Sequence, residues 1–335
     1  MKAVLVDESV QVTEMPDPGL LEGGLRIRVL VSAVTGLDVD VATGRRSYHG
    51  IPGSSFVGLV EEARGEEARS LVGKRVVGRA NHGCGVCDAC RTGDDYRCRD
   101  RVRPGLYGAP GAHAQYVHLP ARAVAPVPEG VSDEAAALAL PVSAILEALT
   151  RGELPRWTNV LVVGDGGMGM LSALSLASAG YTVTLRGNHG ERFDLLRRHG
   201  IHFNLATDQD EVMGMRPGRF GPALASYPFV FEVTGHASGW DAATRLVSPG
   251  GSLYVLSSFQ DGVPRPLTEI VEKNVRVIGL RQGALEPVLR ILAAGLFDPT
   301  EVVSRIYPLD QAPEAYQRTQ DRRDRMALLR MSYAD

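Results

Sequence analysis

Apolar and polar positions fall into short alternating blocks along the second half of the chain. Val160 to Val163 form an apolar, β-branched-rich run that meets a glycine cluster, Gly164-x-Gly166-Gly167-x-Gly169. A helical stretch follows through Ala179, and a second extended run covers Tyr181 to Arg186. The alternation continues with a strand from Phe229 to Val233, a helix from about Ser238, and SPGGSLYVLSS read as a turn and strand. Apolar runs separated by helical stretches build α/β folds, so this region is expected to form a doubly wound parallel sheet.

Composition adds a frame. At 335 residues the chain exceeds one ordinary core and is expected to divide into about two domains. Hydrophobic residues at 44% and charged residues at 22% give the balance of a globular protein. No apolar run approaches the ~18–20 residues of a bilayer span, so no membrane is expected as partner. The start, MKAVLVDESVQV, carries acids where a signal peptide has its apolar stretch, and a cytoplasmic location is expected. A net charge of −3 without a basic stripe argues against nucleic acid. The DRRDR run at 321–325 is mixed in sign and reads as a solvated surface.

All four cysteines lie in GCGVCDACRTGDDYRC, residues 83–98. In a reducing compartment Cys84, Cys87, Cys90 and Cys98, spaced C-x2-C-x2-C-x7-C, are better thiolate ligands than disulfide partners. Four sulfurs favour tetrahedral zinc, and four protein ligands leave no open position for substrate. Such a zinc is structural. An iron–sulfur cluster or two redox-active pairs are the competing uses of these thiols.

The glycine cluster predicts a dinucleotide cradle. Gly164 makes the tight turn, Gly166 admits a pyrophosphate to the backbone, and Gly169 lets helix and strand pack closely. Gly167 and Met168 complete the turn, and Thr234, Val255 and Ser257 mark later strand ends where the nicotinamide is expected. An NAD-binding fold usually closes its second strand with an acid. Here the segment reads Arg186-Gly187-Asn188-His189, with Arg192 at the start of ERFDLLRRHG. Gly187 in place of the acid, and two arginines able to pair with a 2′-phosphate, predict NADP(H) over NAD(H).

Together with MKAVLV, IRVLVSAVTGLDVDVATG, GAHAQYVHLP and AAGLFDPTEVVSRIYPLDQAPEAYQ, these motifs make the chain resemble the medium-chain dehydrogenase/reductase superfamily in its zinc-containing alcohol dehydrogenase branch. The resemblance runs nearly end to end. It implies a GroES-like, β-rich catalytic domain over residues 1–121 and 293–335, with the cysteine lobe as the structural zinc site. A Rossmann domain over 122–292 would be inserted between these segments, with the substrate cleft at the junction and a homodimer or homotetramer as the assembly.

The resemblance also implies a catalytic zinc, and at its ligand positions this chain departs from the family. Thr35 stands where a cysteine belongs in VCGTD or VCHTD. Ser54 and Ser55 replace the His-Glu pair of GHExxG, Leu140 precedes Pro141 in place of an acid, and Leu37 replaces the proton-relay hydroxyl. Hydroxyls and a leucine cannot hold zinc. Asp38 and Asp40 alone would make a weak site for a harder ion. No catalytic zinc is therefore expected. Hydride transfer then requires a substrate that carries its own activation: a conjugated C=C or C=O, or a positively charged C=N. Thr35, Asp38, Ser54, Tyr48 and His49 are the candidate catalytic residues, with Asp40 and Tyr107 as further proton donors. The expected protein is an NADPH-dependent oxidoreductase of a small organic substrate. The competing readings are a conventional zinc-dependent alcohol or sugar dehydrogenase and a catalytically silent nucleotide-binding protein.

Overall fold

The computed structural model describes residues 1–17, 19–20, 22–150, 154–206, 226–259, 267–280 and 282–333. The chain forms two compact units, Met1–Pro141 with Ala284–Asp335, and Val142–Gly283. These divisions differ from the expected breaks at 121/122 and 292/293 for local reasons. Strand Val124–Pro126 pairs with Arg75–Gly78, and helix Asp133–Ala137 packs on strands Gly24–Val34 and Phe56–Ala63. Helix Leu285–Ala293 packs in turn on Asp133–Ala137, which holds it in the first unit.

The first unit is built on a seven-stranded sheet. Its spatial order is Arg305–Pro308, Ala327–Arg330, Gly24–Val34, Phe56–Ala63, Arg75–Gly78 and Val124–Pro126, with Tyr116–Pro120 also pairing Gly24–Val34. Inward residues alternate along Gly24–Val34, where Leu25, Ile27, Val29 and Val31 are buried, as a sheet with one covered face requires. Ala327 pairs opposite Val34, so a strand near the C-terminus joins the sheet that residues 24–126 build.

The second unit is a six-stranded parallel sheet in the order His202–Leu205, Thr182–Gly187, Asn159–Val163, Tyr227–Glu232, Val247–Val255, Arg276–Gly279. In chain order this is 3-2-1-4-5-6, the dinucleotide-binding arrangement, whose ligands lie beyond the carboxyl ends of the strands. Val160, Leu161 and Val162 are at most 1% exposed. Burial of each such side chain contributes roughly 1.5–3 kcal/mol, which explains why the central strands read as unbroken apolar runs. Among the described residues no helix is long and apolar enough to cross a membrane.

Candidate functional site

The positions expected to hold a catalytic metal are drawn together by two neighbouring strands. Gly24–Val34 runs directly into Thr35, and Ser54–Ser55 precede Phe56–Ala63, with Ser32 opposite Phe56 and the Ala33 N–H donating to the Ser55 carbonyl at 2.8 Å. Thr35 caps the helix Gly36–Ala42, and Asp38 in its first turn reaches back in the manner of a capping box. Asp38 Oδ2 accepts the Thr35 N–H at 2.8 Å and the Thr35 hydroxyl at 2.6 Å, while Oδ1 accepts the Gly53 N–H at 3.0 Å. At 2% exposure this carboxylate is buried and receives three hydrogen bonds from the protein.

The remaining positions also turn away from metal binding. The Ser55 hydroxyl donates to the Ala137 carbonyl at 2.6 Å, at the end of the helix that precedes Leu140. Ser54 and Leu140 are buried, and Asp40 pairs with Arg45 at 3.1 Å. The Asp38–Asp40 ion site therefore lacks ligands, and the residues present do not fit a catalytic zinc. Among the described residues, the one set of three or more His, Cys, Asp or Glu side chains able to surround an ion is the cysteine set.

His49 and Tyr48 do not have the places expected of catalytic groups. His49 is 72% exposed on its side chain and its Nδ1 lies 3.0 Å from Asp7 Oδ1, so it is a surface residue hydrogen-bonded to a neighbouring loop. Tyr48 donates its hydroxyl to the Ile51 carbonyl at 2.9 Å, and burial pushes its phenol up to about 12. Tyr107 is exposed, and its hydroxyl accepts from Arg101 Nε at 2.6 Å.

Two residues not anticipated from sequence complete this region. His113 is 0% exposed and packs against Gly53, where an added Cβ would lie 2.3 Å from its ring. Its Nε2 is 3.2 Å from the Ala33 carbonyl and its Nδ1 2.7 Å from the Tyr316 hydroxyl. A carbonyl only accepts, so the neutral ring carries its proton on Nε2 and accepts from Tyr316 at Nδ1. Burial holds the His113 pKa below its ordinary value, against an opposing pull from Asp38. Burial also raises Tyr316 well above its ordinary value, with Asp38 and Tyr48 adding to the effect. His113 lies in GAHAQYV, just before the strand Tyr116–Pro120, and Tyr316 in QAPEAYQ; a histidine between two alanines was the available signal.

The cysteine lobe has the geometry of a metal site. The sulfurs of Cys84, Cys87, Cys90 and Cys98 all lie within 4.8 Å of one another. A tetrahedron with Zn–S bonds of about 2.3 Å has edges of about 3.8 Å, so small adjustments close it around zinc. Gly83 makes room, since a Cβ there would sit 2.3 Å from Cys90 Sγ, and Arg122 fixes the Gly83 carbonyl at 2.9 and 3.1 Å. Backbone N–H groups of Val86 and Cys87 hold the Cys84 thiol below its ordinary value, while burial and the neighbouring sulfurs push Cys90 up, as expected of thiols crowded together.

In the second unit the glycine turn leads into helix Gly167–Ser178, whose N-cap is Gly166. A Cβ on Gly169 would lie 1.7 Å from the Gly164 carbonyl oxygen, whereas a Cβ on Gly166 would meet nothing within 4 Å. The first glycine is needed for packing; the second keeps an open space at a helix N-terminus, which fits a pyrophosphate. Met168 lies in the first turn of that helix.

The strand ends are tied by a fully buried carboxylate. Glu232 Oε1 accepts the Thr234 N–H at 2.7 Å, the Thr234 hydroxyl at 2.5 Å and the Gly235 N–H at 3.2 Å; Oε2 accepts the Ser257 hydroxyl. Thr234 and Ser257 are thus fixed by one side chain, beside Val255 at the end of its strand.

The arginines expected to meet a 2′-phosphate are engaged elsewhere. Arg186 donates to the Asn204 side chain on the adjacent strand. Arg192 donates to the Asp165 carbonyl at 3.0 Å and lies 3.7 Å from Asp165 Oδ1. Gly187 leaves no room either, because a Cβ there would fall 2.3–2.4 Å from the Asp165 side chain. Asn188 contributes its N–H to Asp165 Oδ2 at 2.8 Å. Both arginines on which the expected preference for NADP(H) rested thus hold partners within the protein.

Comparison with known proteins agrees with this architecture. Residues 22–129 match the alcohol dehydrogenase GroES-like domain. An L-threonine 3-dehydrogenase of Pectobacterium carotovorum subsp. carotovorum is 27% identical over 288 residues, covering 82% of this chain and 81% of its own. Among solved structures, an alcohol dehydrogenase from Thermus sp. ATN1 superposes with a TM-score of 0.85 at 24% identity, covering 99% of this chain and 100% of its own. An E. coli CFT073 alcohol dehydrogenase complexed with NADH gives 0.85 at 20% identity, covering 98% and 99%.

Proposed function

We propose that this chain, a member of the alcohol dehydrogenase-like medium-chain dehydrogenase/reductase superfamily, is a nicotinamide dinucleotide-dependent oxidoreductase that works without a catalytic zinc. The dinucleotide supplies or accepts a hydride when bound. The substrate is a small organic molecule whose own conjugation or positive charge activates its C=C, C=N or C=O.

The observation that carries this reading is the donor set at the family's catalytic-metal positions. Thr35, Ser54, Ser55 and Leu140 offer no thiolate or imidazole, and Asp38 already receives three hydrogen bonds. The half-buried Thr35 hydroxyl points its proton at Asp38 and receives the Asp38 N–H in the capping box, which leaves one acceptor position on Thr35 Oγ1. A substrate hydroxyl that donates to Thr35 Oγ1 passes its proton along Thr35 to Asp38, and the reverse path delivers one. This pair is the proton route of the proposed reaction. The structural zinc belongs to the cysteine lobe and takes no part in it.

The test is a substrate panel with each dinucleotide, run with and without a chelator that spares the cysteine lobe. Conjugated aldehydes, conjugated ketones and iminium ions should turn over at rates unaffected by chelation, with primary alcohols slow or inert. Rapid oxidation of a primary alcohol that is lost on chelation would refute the reading.

A further inference from the structure

We propose that Asp165 selects the dinucleotide, its Oδ1 accepting the 2′-hydroxyl of the adenosine ribose and so favouring NAD(H) over NADP(H); this rests on the dinucleotide-dependent function proposed above. The second strand of the parallel sheet, Thr182–Gly187, ends in glycine where such folds commonly carry an acid. The space that acid would take is filled from another direction. A Cβ on Gly187 would overlap the Asp165 Cβ, Cγ and Oδ2, at 2.3, 2.4 and 2.4 Å. The glycine turn has therefore delivered a carboxylate to the position the strand end lacks.

The carboxylate is held in one orientation. Asp165 is 7% exposed, and its Oδ2 accepts the Asn188 N–H at 2.8 Å, the His189 N–H at 2.7 Å and lies 3.0 Å from His189 Nδ1. Its Oδ1 has one neighbour of opposite charge, Arg192 Nη1 at 3.7 Å, beyond hydrogen-bond reach. Oδ1 is thus a fixed acceptor with capacity for a hydroxyl donor. A 2′-phosphate at the same place would bring a second anion against this carboxylate in a poorly solvated setting.

The two nearby arginines do not reverse that balance. Arg186, 7% exposed, is turned to Asn204 on the outer side of the sheet, and Arg192 is held by the Asp165 carbonyl. Arg192 could meet a phosphate with that N–H only by giving up a buried hydrogen bond, which offsets the gain.

The experiment measures dissociation constants of NADH, NADPH and 2′-deoxyadenosine NADH by nicotinamide fluorescence, for the wild-type chain and Asp165→Asn. The wild type should bind NADH at least tenfold more tightly than NADPH, and should lose about tenfold on removal of the 2′-hydroxyl. Asp165→Asn should narrow the NADH/NADPH ratio at least tenfold, mainly through tighter NADPH. The wild-type measurements stand alone if the variant folds poorly. Equal or tighter NADPH binding by the wild type, or indifference to the 2′-hydroxyl, overturns the assignment to Asp165. Binding of none of the three overturns the dinucleotide-dependent function itself, and the two failures are distinct.

Discussion

Replacing Asp38 by Asn removes one charge and turns one acceptor into a donor, at a side chain only 2% exposed. If the amide oxygen keeps the Oδ2 place, it still receives the Thr35 N–H and hydroxyl, now without charge assistance. The amide nitrogen then faces the Gly53 N–H, donor against donor, and that buried N–H loses its partner. An unsatisfied buried donor costs about 1–3 kcal/mol, and the weakening of two charge-assisted bonds adds roughly 1–2 kcal/mol. Loss of an acid from the first helical turn adds about 0.3–1 kcal/mol, while the desolvation that Asn avoids offsets part of the total. The net expectation is about 2–4 kcal/mol of destabilisation. Thr35→Val, which removes only the hydroxyl bond, should cost about 1–1.5 kcal/mol. Both tryptophans, Trp157 and Trp240, lie in the second unit, so the readout is urea unfolding followed by circular dichroism together with amide exchange at Gly53. Asp38→Asn within 0.5 kcal/mol of wild type, with Gly53 protection intact, would refute this account of the carboxylate.

The two glycines of the cradle should separate folding from binding. Gly169→Ala should destabilise the second unit, because its Cβ would meet the Gly164 carbonyl at 1.7 Å. Gly166→Ala should leave the melting temperature within about 2 °C yet weaken dinucleotide binding at least tenfold; unaltered affinity would show that no phosphate approaches there. His113 is buried with its pKa below the unfolded value of about 6.5, so the unfolded chain takes up this proton first as pH falls. Its contribution to stability is whole above about pH 6.5. Below that it is lost by up to about 1.4 kcal/mol per pH unit, until the folded group itself protonates. The difference in unfolding free energy between wild type and His113→Gln should shrink between pH 7.5 and 5.5, and a constant difference would count against a buried neutral ring. Cys87→Ser should release zinc and loosen residues 83–98 to protease while dinucleotide affinity stays within about twofold; loss of that affinity would tie the lobe to the nucleotide site.

The parallel sheet was legible because its signals are local. Strands expected at 160–163 and 181–186 appear as Asn159–Val163 and Thr182–Gly187, and the expected helix ends with Ala179 as C-cap. Burial on both faces writes such strands as plain apolar runs, and the glycine spacing records a backbone requirement. The cysteine cluster was equally direct, since its four ligands span fifteen residues of chain. Pairings made across the fold were not legible. His113 meets Tyr316 at a separation of 203 residues, and nothing near either residue names the other. Asp165 is 24 residues from His189, and nothing near Gly187 in the sequence announces that the Asp165 side chain fills the space beside it. His49, attractive by type and position, is a surface residue because no neighbouring pattern reports which way a loop side chain faces.

Native mass spectrometry of the purified chain with saturating dinucleotide tests the central claim most directly, because it counts metals and cofactor on the same molecule without a known substrate. The account predicts one zinc and one dinucleotide per chain. The zinc should be lost in the Cys87→Ser variant and the dinucleotide retained. Two zinc ions per chain, with one persisting in Cys87→Ser, would contradict it, since a metal site would then exist where Thr35, Ser54, Ser55 and Leu140 now stand.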